Sequence, residues 1–146
     1  MLTIHTELMQ VRDGTNTRVT TPESVYGVCQ DMATCAQEMF VSITLNTKNK
    51  MIARNLVTLG LLDSAPVSAR EVFRKAISDS AAAIIIVHNH PSGDCVPSAE
   101  DLRVTRQLVD AGRVVGVRVL DHIIIGRGDV PYVSMREKGL VDFDMT

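Results

Sequence analysis

Tryptophan is absent from this chain of 146 residues, which carries only two tyrosines and three phenylalanines. That shortage excludes a stacking platform of the kind that holds unpaired bases. A surplus of one charge is missing too. Fifteen basic and 17 acidic side chains leave a net charge of −2, so no overall basic footprint points to nucleic acid. A local excess lies between Lys48 and Lys75, where six Lys and Arg residues face only Asp63 and Glu71, and it reads as a solvated face. Cysteine is scarce: Cys29, Cys35 and Cys95 are odd in number, fit no disulfide framework, and read as reduced thiols of a cytoplasmic protein. No apolar run approaches the ~18 residues of a membrane span. The start, MLTIHTELMQVRDG, lacks the basic opening and unbroken apolar stretch of a signal peptide. Repeats, low-complexity tracts and linkers are also lacking. Residues 1–146 therefore read as one domain, with 1–21 as an N-terminal strand and loop extension.

What is present alternates between strand and helix patterns. Residues 2–11 alternate loosely, as an edge strand would. Thr21 and Pro22 can open a helix running to about Cys35. MFVSITLN has the period-two pattern of a strand with one buried face, and MIARNLVTLG follows a polar turn as its antiparallel partner. Ser68-Ala-Arg-Glu71 has the form of a capping box, opening a helix whose apolar positions are Val72, Phe73, Ala76 and Ile77. AAAIIIVHNH is a β-branched, nearly wholly apolar run, the mark of a strand buried on both faces. A second helix begins near Ser98 and is expected to stop near Gly112, before the strands RVLDHIIIG and VPYVSM. The expected fold is α/β: a mixed sheet flanked by helices.

The chemistry concentrates in HNHPSGDCVPSAED, residues 88–101. Side chains two apart in an extended chain point the same way, so His88 and His90 project from one face. They read either as polar residues capping a strand end or as a ligand pair at the carboxyl edge, where α/β folds place their ligands. Asp101 bears on the choice. At about 100° per residue, it falls in the middle of the apolar half of its helix, with Leu102, Val104, Leu108, Val109 and Ala111. A carboxylate facing a core is costly unless a cation or donors meet it. The alternative is a capping box, Ser98 to Asp101, with the carboxylate folded back on the cap. Two imidazoles and one carboxylate leave a fourth position open, as a catalytic zinc site requires.

His88-x-His90-Pro91, with Ser98 and Asp101 at their spacing, matches the JAMM (MPN+, JAB1-type) zinc hydrolase motif. From about Pro22 to Met135 the chain resembles the bacterial RadC family. The resemblance implies a JAMM/MPN fold, which is cytidine-deaminase-like, with Zn2+ on His88, His90 and Asp101. It further implies Glu38 as general base and Ser98 as the hydroxyl that steadies the oxyanion, for cleavage of amide or isopeptide bonds in a peptide or protein substrate. RadC proteins commonly carry an N-terminal helix-hairpin-helix segment, and nothing here corresponds to it, so DNA binding is expected to be weak or absent. Ser92 and Gly93 read as turn residues. Glu71 and Glu100 are set aside as bases, Cys95 as a ligand, and His122, beside Asp121 in a buried strand, as a satisfied core histidine. A deaminase would need H-x-E with P-C-x-x-C, which the chain does not have. The contiguous letters HNH do not match the dispersed motif of the nucleases so named. The competing reading is a DNA-repair-associated or partner-binding module with a non-catalytic zinc site.

Overall fold

The computed structural model describes residues 17–59 and 67–144. The strand expected at residues 2–11 lies outside them. Helix α1 (Pro22–Cys29) opens on Thr21, whose side chain accepts from the Ser24 amide while Ser24 answers the Thr21 amide. The α-helix ends at Cys29 rather than Cys35, and Gln30–Thr34 winds on as a 3-10 helix. In that tighter turn Asp31 meets Arg54 in a two-pronged pair at 2.7 and 2.6 Å. Arg54 is therefore buried, and is no part of a solvated basic face.

Strands β1 (Met39–Leu45) and β2 (Met51–Leu59) form the expected antiparallel hairpin. β1 is not buried on one face alone, because every residue from Phe40 to Leu45 is buried. The cause is its place in the sheet, whose order is β2-β1-β3-β4-β5, together with the helical residues packed on both faces. Helix α2 (Ala69–Ser78) starts at Ser68, but without the expected capping box. The Ser68 hydroxyl accepts from the Arg70 amide, and Glu71 pairs instead with Arg74 at 3.0 Å. Ile77, expected on the apolar face, is 60% exposed.

β3 (Ala83–Asn89) is buried throughout and parallel to β4 (Arg118–Ile125), with β5 (Tyr132–Ser134) antiparallel at the edge. Helix α3 (Ala99–Val115) makes the crossover between β3 and β4 and runs one turn past the expected stop at Gly112. Gly112 ends nothing. A Cβ there would strike the Val117 carbonyl oxygen and the Phe73 ring, so the position is small because α2 and the α3–β4 turn close on it. The true cap is Gly116, with φ 80° in the left-handed region where glycine carries no steric cost.

Period two sorts β3 between the layers. Ala83, Ile85 and Val87 pack with Val25, Cys29 and Met32 below, whereas Ile84 and Ile86 pack with Phe73, Val104 and Leu108 of α2 and α3. His88 continues the second series, so its ring emerges under the start of α3.

Candidate metal centre

Three chain segments converge at the carboxyl end of β3. β3 carries His88 and leads into His90, α3 begins with Asp101, and the residue before β1 is Glu38. The antiparallel register pairs Phe40 with His88, which brings Glu38, two residues earlier, alongside His90. The turn that follows is closed by the Gly93 amide donating to the His90 carbonyl at 2.8 Å, with Gly93 at φ 94°. Arg127 holds this turn from outside by donating to the Pro91 carbonyl at 2.8 Å.

His88 Nε2 and His90 Nε2 lie 3.1 Å apart. Asp101 reaches the first through Oδ1 at 3.3 Å and the second through Oδ2 at 3.2 Å. Glu38 Oε2 lies 3.9 Å from His88 Nε2, and single ligand atoms of Glu38, His88 and His90 fall within 4.8 Å of one another. The structure thus brings together His88, His90, Asp101 and Glu38. The capping-box alternative for Asp101 is realised without drawing the carboxylate away from the histidines: Oδ2 also accepts the Ser98 amide at 2.9 Å, while the Ser98 hydroxyl accepts the Asp101 amide at 3.0 Å. That cap uses a hydroxyl lone pair and leaves the Ser98 O–H as a donor.

Electrostatics follow from this crowding. Burial alone would raise the Asp101 pKa, but the two imidazoles beside it and the Ser98 amide outweigh that and hold the carboxyl well below its usual range. The hydrogen bond to Asp101 pushes the His90 pKa up, against the opposing effect of burial. His90 Nδ1 lies 2.7 Å from the Asp94 carbonyl, which can only accept, so Nδ1 carries the proton and the neutral ring turns a bare Nε2 inward. A lone pair and a carboxylate at this distance call for a cation between them. Tetrahedral zinc with bonds of about 2.0 Å has ligand–ligand edges of about 3.3 Å, which matches the 3.1–3.3 Å separations. The donor set fits a divalent metal ion.

Two residues, Asn89 and Thr105, had gone unassigned, and a third, His122, had been given only a place in the core. Asn89, buried between the two histidines, accepts the Met39 amide through Oδ1 at 2.6 Å and donates from Nδ2 to the Gln37 carbonyl at 3.1 Å. It grips the backbone on both sides of Glu38, where the β1–β3 ladder has ended. The clue was an amide side chain in an otherwise apolar strand run. His122, read from sequence as a satisfied core residue, is fully buried, but its Nε2 lies 2.7 Å from His88 Nδ1. Its ring and the Asp121 carboxylate do not act as a pair. Asp121 instead accepts the His122 backbone amide, the Ser134 hydroxyl and the Arg136 amide. Thr105 lies on the buried face of α3. Of the residues set aside, Cys95 turns its thiol to the Val130 carbonyl at 3.3 Å, and Ser92 accepts the Asp94 amide at 3.3 Å.

Comparison with known proteins bears on the chain as a whole. A family described as RadC-like JAB domain matches residues 19–140. A UPF0758 protein of Caldanaerobacter subterraneus subsp. tengcongensis is 47% identical over 138 residues, covering 94% of this chain and 58% of that protein. UPF0758 proteins of Geobacillus sp. (strain WCH70) and Desulforamulus reducens are 53% identical over 114 residues and 48% over 121. They cover 78% and 82% of this chain, and 50% and 52% of their own lengths. The chain spans about half the length of the curated relatives it matches.

Proposed function

Because this chain belongs to the family of RadC-like JAB domains, we propose that it is a zinc-dependent hydrolase of amide or isopeptide bonds in a peptide or protein substrate. The observation that carries the reading is the closed set of His88 Nε2, His90 Nε2 and the Asp101 carboxylate at 3.1–3.3 Å, with a second carboxylate, Glu38, 3.9 Å away. His88, His90 and Asp101 would hold the zinc ion, which when bound would lower the pKa of its water toward ~7 and polarise a carbonyl.

The protein's own groups do the rest. Glu38 is less buried than Asp101 and farther from the imidazoles, as suits a carboxylate that must exchange protons. It takes the proton released by the attacking water at Oε2 and returns it to the leaving amine. Asn89 holds the backbone of Gln37 and Met39, so the base stays aimed at the site. The free O–H of Ser98 donates to the oxygen that gains charge in the tetrahedral intermediate. Phe40, whose ring stacks on His88 with centroids 5.7 Å apart, closes the inner side to water.

The test is a panel of peptide and isopeptide substrates offered to zinc-loaded protein. Turnover that chelation abolishes and added zinc restores supports the proposal. If no member is cleaved at a rate above that of the Glu38→Gln protein, amide hydrolysis is the wrong chemistry for the site.

A further inference from the structure

Behind the metal centre a chain of hydrogen bonds runs into the core through residues that no ligand could touch. His88 Nδ1 meets His122 Nε2 at 2.7 Å, and His122 Nδ1 meets the Thr105 hydroxyl at 2.6 Å. The same hydroxyl lies 2.6 Å from the Asp101 carbonyl, four residues back in α3. His122 and Thr105 are both fully buried, so water cannot stand in for any missing partner.

The direction of every bond follows from one fixed end. A carbonyl oxygen only accepts, so the single Thr105 proton must point to Asp101; two oxygens at 2.6 Å with no proton between them would repel. With its proton committed, the Thr105 oxygen can only accept from His122, which places that ring's proton on Nδ1. His122 Nε2 is then bare and must accept from His88, which places the His88 proton on Nδ1. His88 Nε2 is left with a lone pair aimed at His90 and Asp101.

We infer that Thr105 and His122 are positioning residues that lock His88 in the tautomer whose Nε2 is free to bind a cation. The locking signal starts on α3, the element that also supplies Asp101. One helix therefore provides a ligand through its first turn and, one turn later, fixes the protonation of the opposing ligand. The tautomer stands on these hydrogen bonds alone, whereas its effect on metal affinity rests on the function proposed above. Outer partners of this kind commonly change metal affinity by 10- to 100-fold when removed.

Two measurements test the inference. Long-range proton–nitrogen correlation spectra of metal-free protein are recorded at about pH 8.5, some two units above the ordinary imidazole pKa. They should show His122 and His88 protonated on Nδ1. A His122 ring protonated on Nε2 would overturn the inference, whatever any variant does. Zinc titration of folded Thr105→Val should give an affinity lower by about 10- to 100-fold, with Thr105→Ser restoring most of it. A Thr105→Val protein that binds zinc within about twofold of the parent would overturn the link to the metal. Should the parent bind no zinc while the spectra show the expected tautomers, the relay stands and the metal reading fails.

Discussion

Glu38 and Asp101 are both carboxylates beside the same imidazole, and their surroundings suit them to the two different roles proposed above. Asp101 contacts two histidines and a backbone amide, whereas Glu38 approaches one histidine at 3.9 Å. Glu38→Gln keeps the shape and removes the base, so hydrolysis should fall by ~10² or more with zinc content unchanged. Asp101→Asn should lose both, because a neutral amide is a poor zinc ligand. If instead Glu38→Gln empties the site and Asp101→Asn stays loaded, the two roles are exchanged. pH enters through His90. Its pKa is raised, so protons compete for the ring already above the ordinary 6.5, and zinc affinity should be level at high pH and weaken as pH falls through the raised value. Titrations across that range check the sign, and an affinity that rises toward acid would contradict it. At this scale the grouping of His88, His90 and Asp101 was legible in the sequence because period two and the helical wheel fix where side chains point. His122 was not. Nothing local announces that the register of β4 on β3 will bring its ring against His88.

Elements are held in place by contacts that sequence patterns record unevenly. The buried β3 and the apolar face of α3 were legible, since both depend on local periodicity. The extent of α3 was misjudged, because a glycine chosen for close packing looks the same in sequence as one chosen to end a helix. Gly112→Ala should therefore cost about 1–3 kcal/mol through overpacking against the Val117 carbonyl and Phe73, read as a lowered midpoint in denaturant. An unchanged or raised midpoint would show that α3 has room there. The pair between Asp31 and Arg54, which ties the 3-10 helix to β2, gives a stability signature in pH. The hydrogen bond from Arg54 holds the Asp31 pKa below the ordinary 3.8. Its stabilisation is thus present above that value and is lost as pH falls through the lower folded-state one. Asp31→Asn should flatten that acid limb while leaving the neutral midpoint lower than the parent's.

Across the whole molecule the sheet order decides what the site can be. β3 lies between β1 and β4, so the residue before β1 can supply a second carboxylate from one side while His122 supports His88 from the other. α3 closes the top. That convergence of distant segments is what a single sequence does not display, although the family resemblance of its motif implied part of it. The net charge of −2 and the few aromatic rings belong to the same scale. Duplex DNA should bind this chain weakly at physiological ionic strength; sub-micromolar binding with a steep salt dependence would promote the DNA-associated reading. His88 in β3, His90 just beyond it and Asp101 in α3 are proposed to hold a metal ion, and elemental analysis of protein purified without chelator tests this most directly. Near-stoichiometric zinc in the parent chain, lost when His88 and His90 are both replaced by Ala, is the predicted result. Metal-free parent protein, or zinc that survives the double replacement, would contradict it.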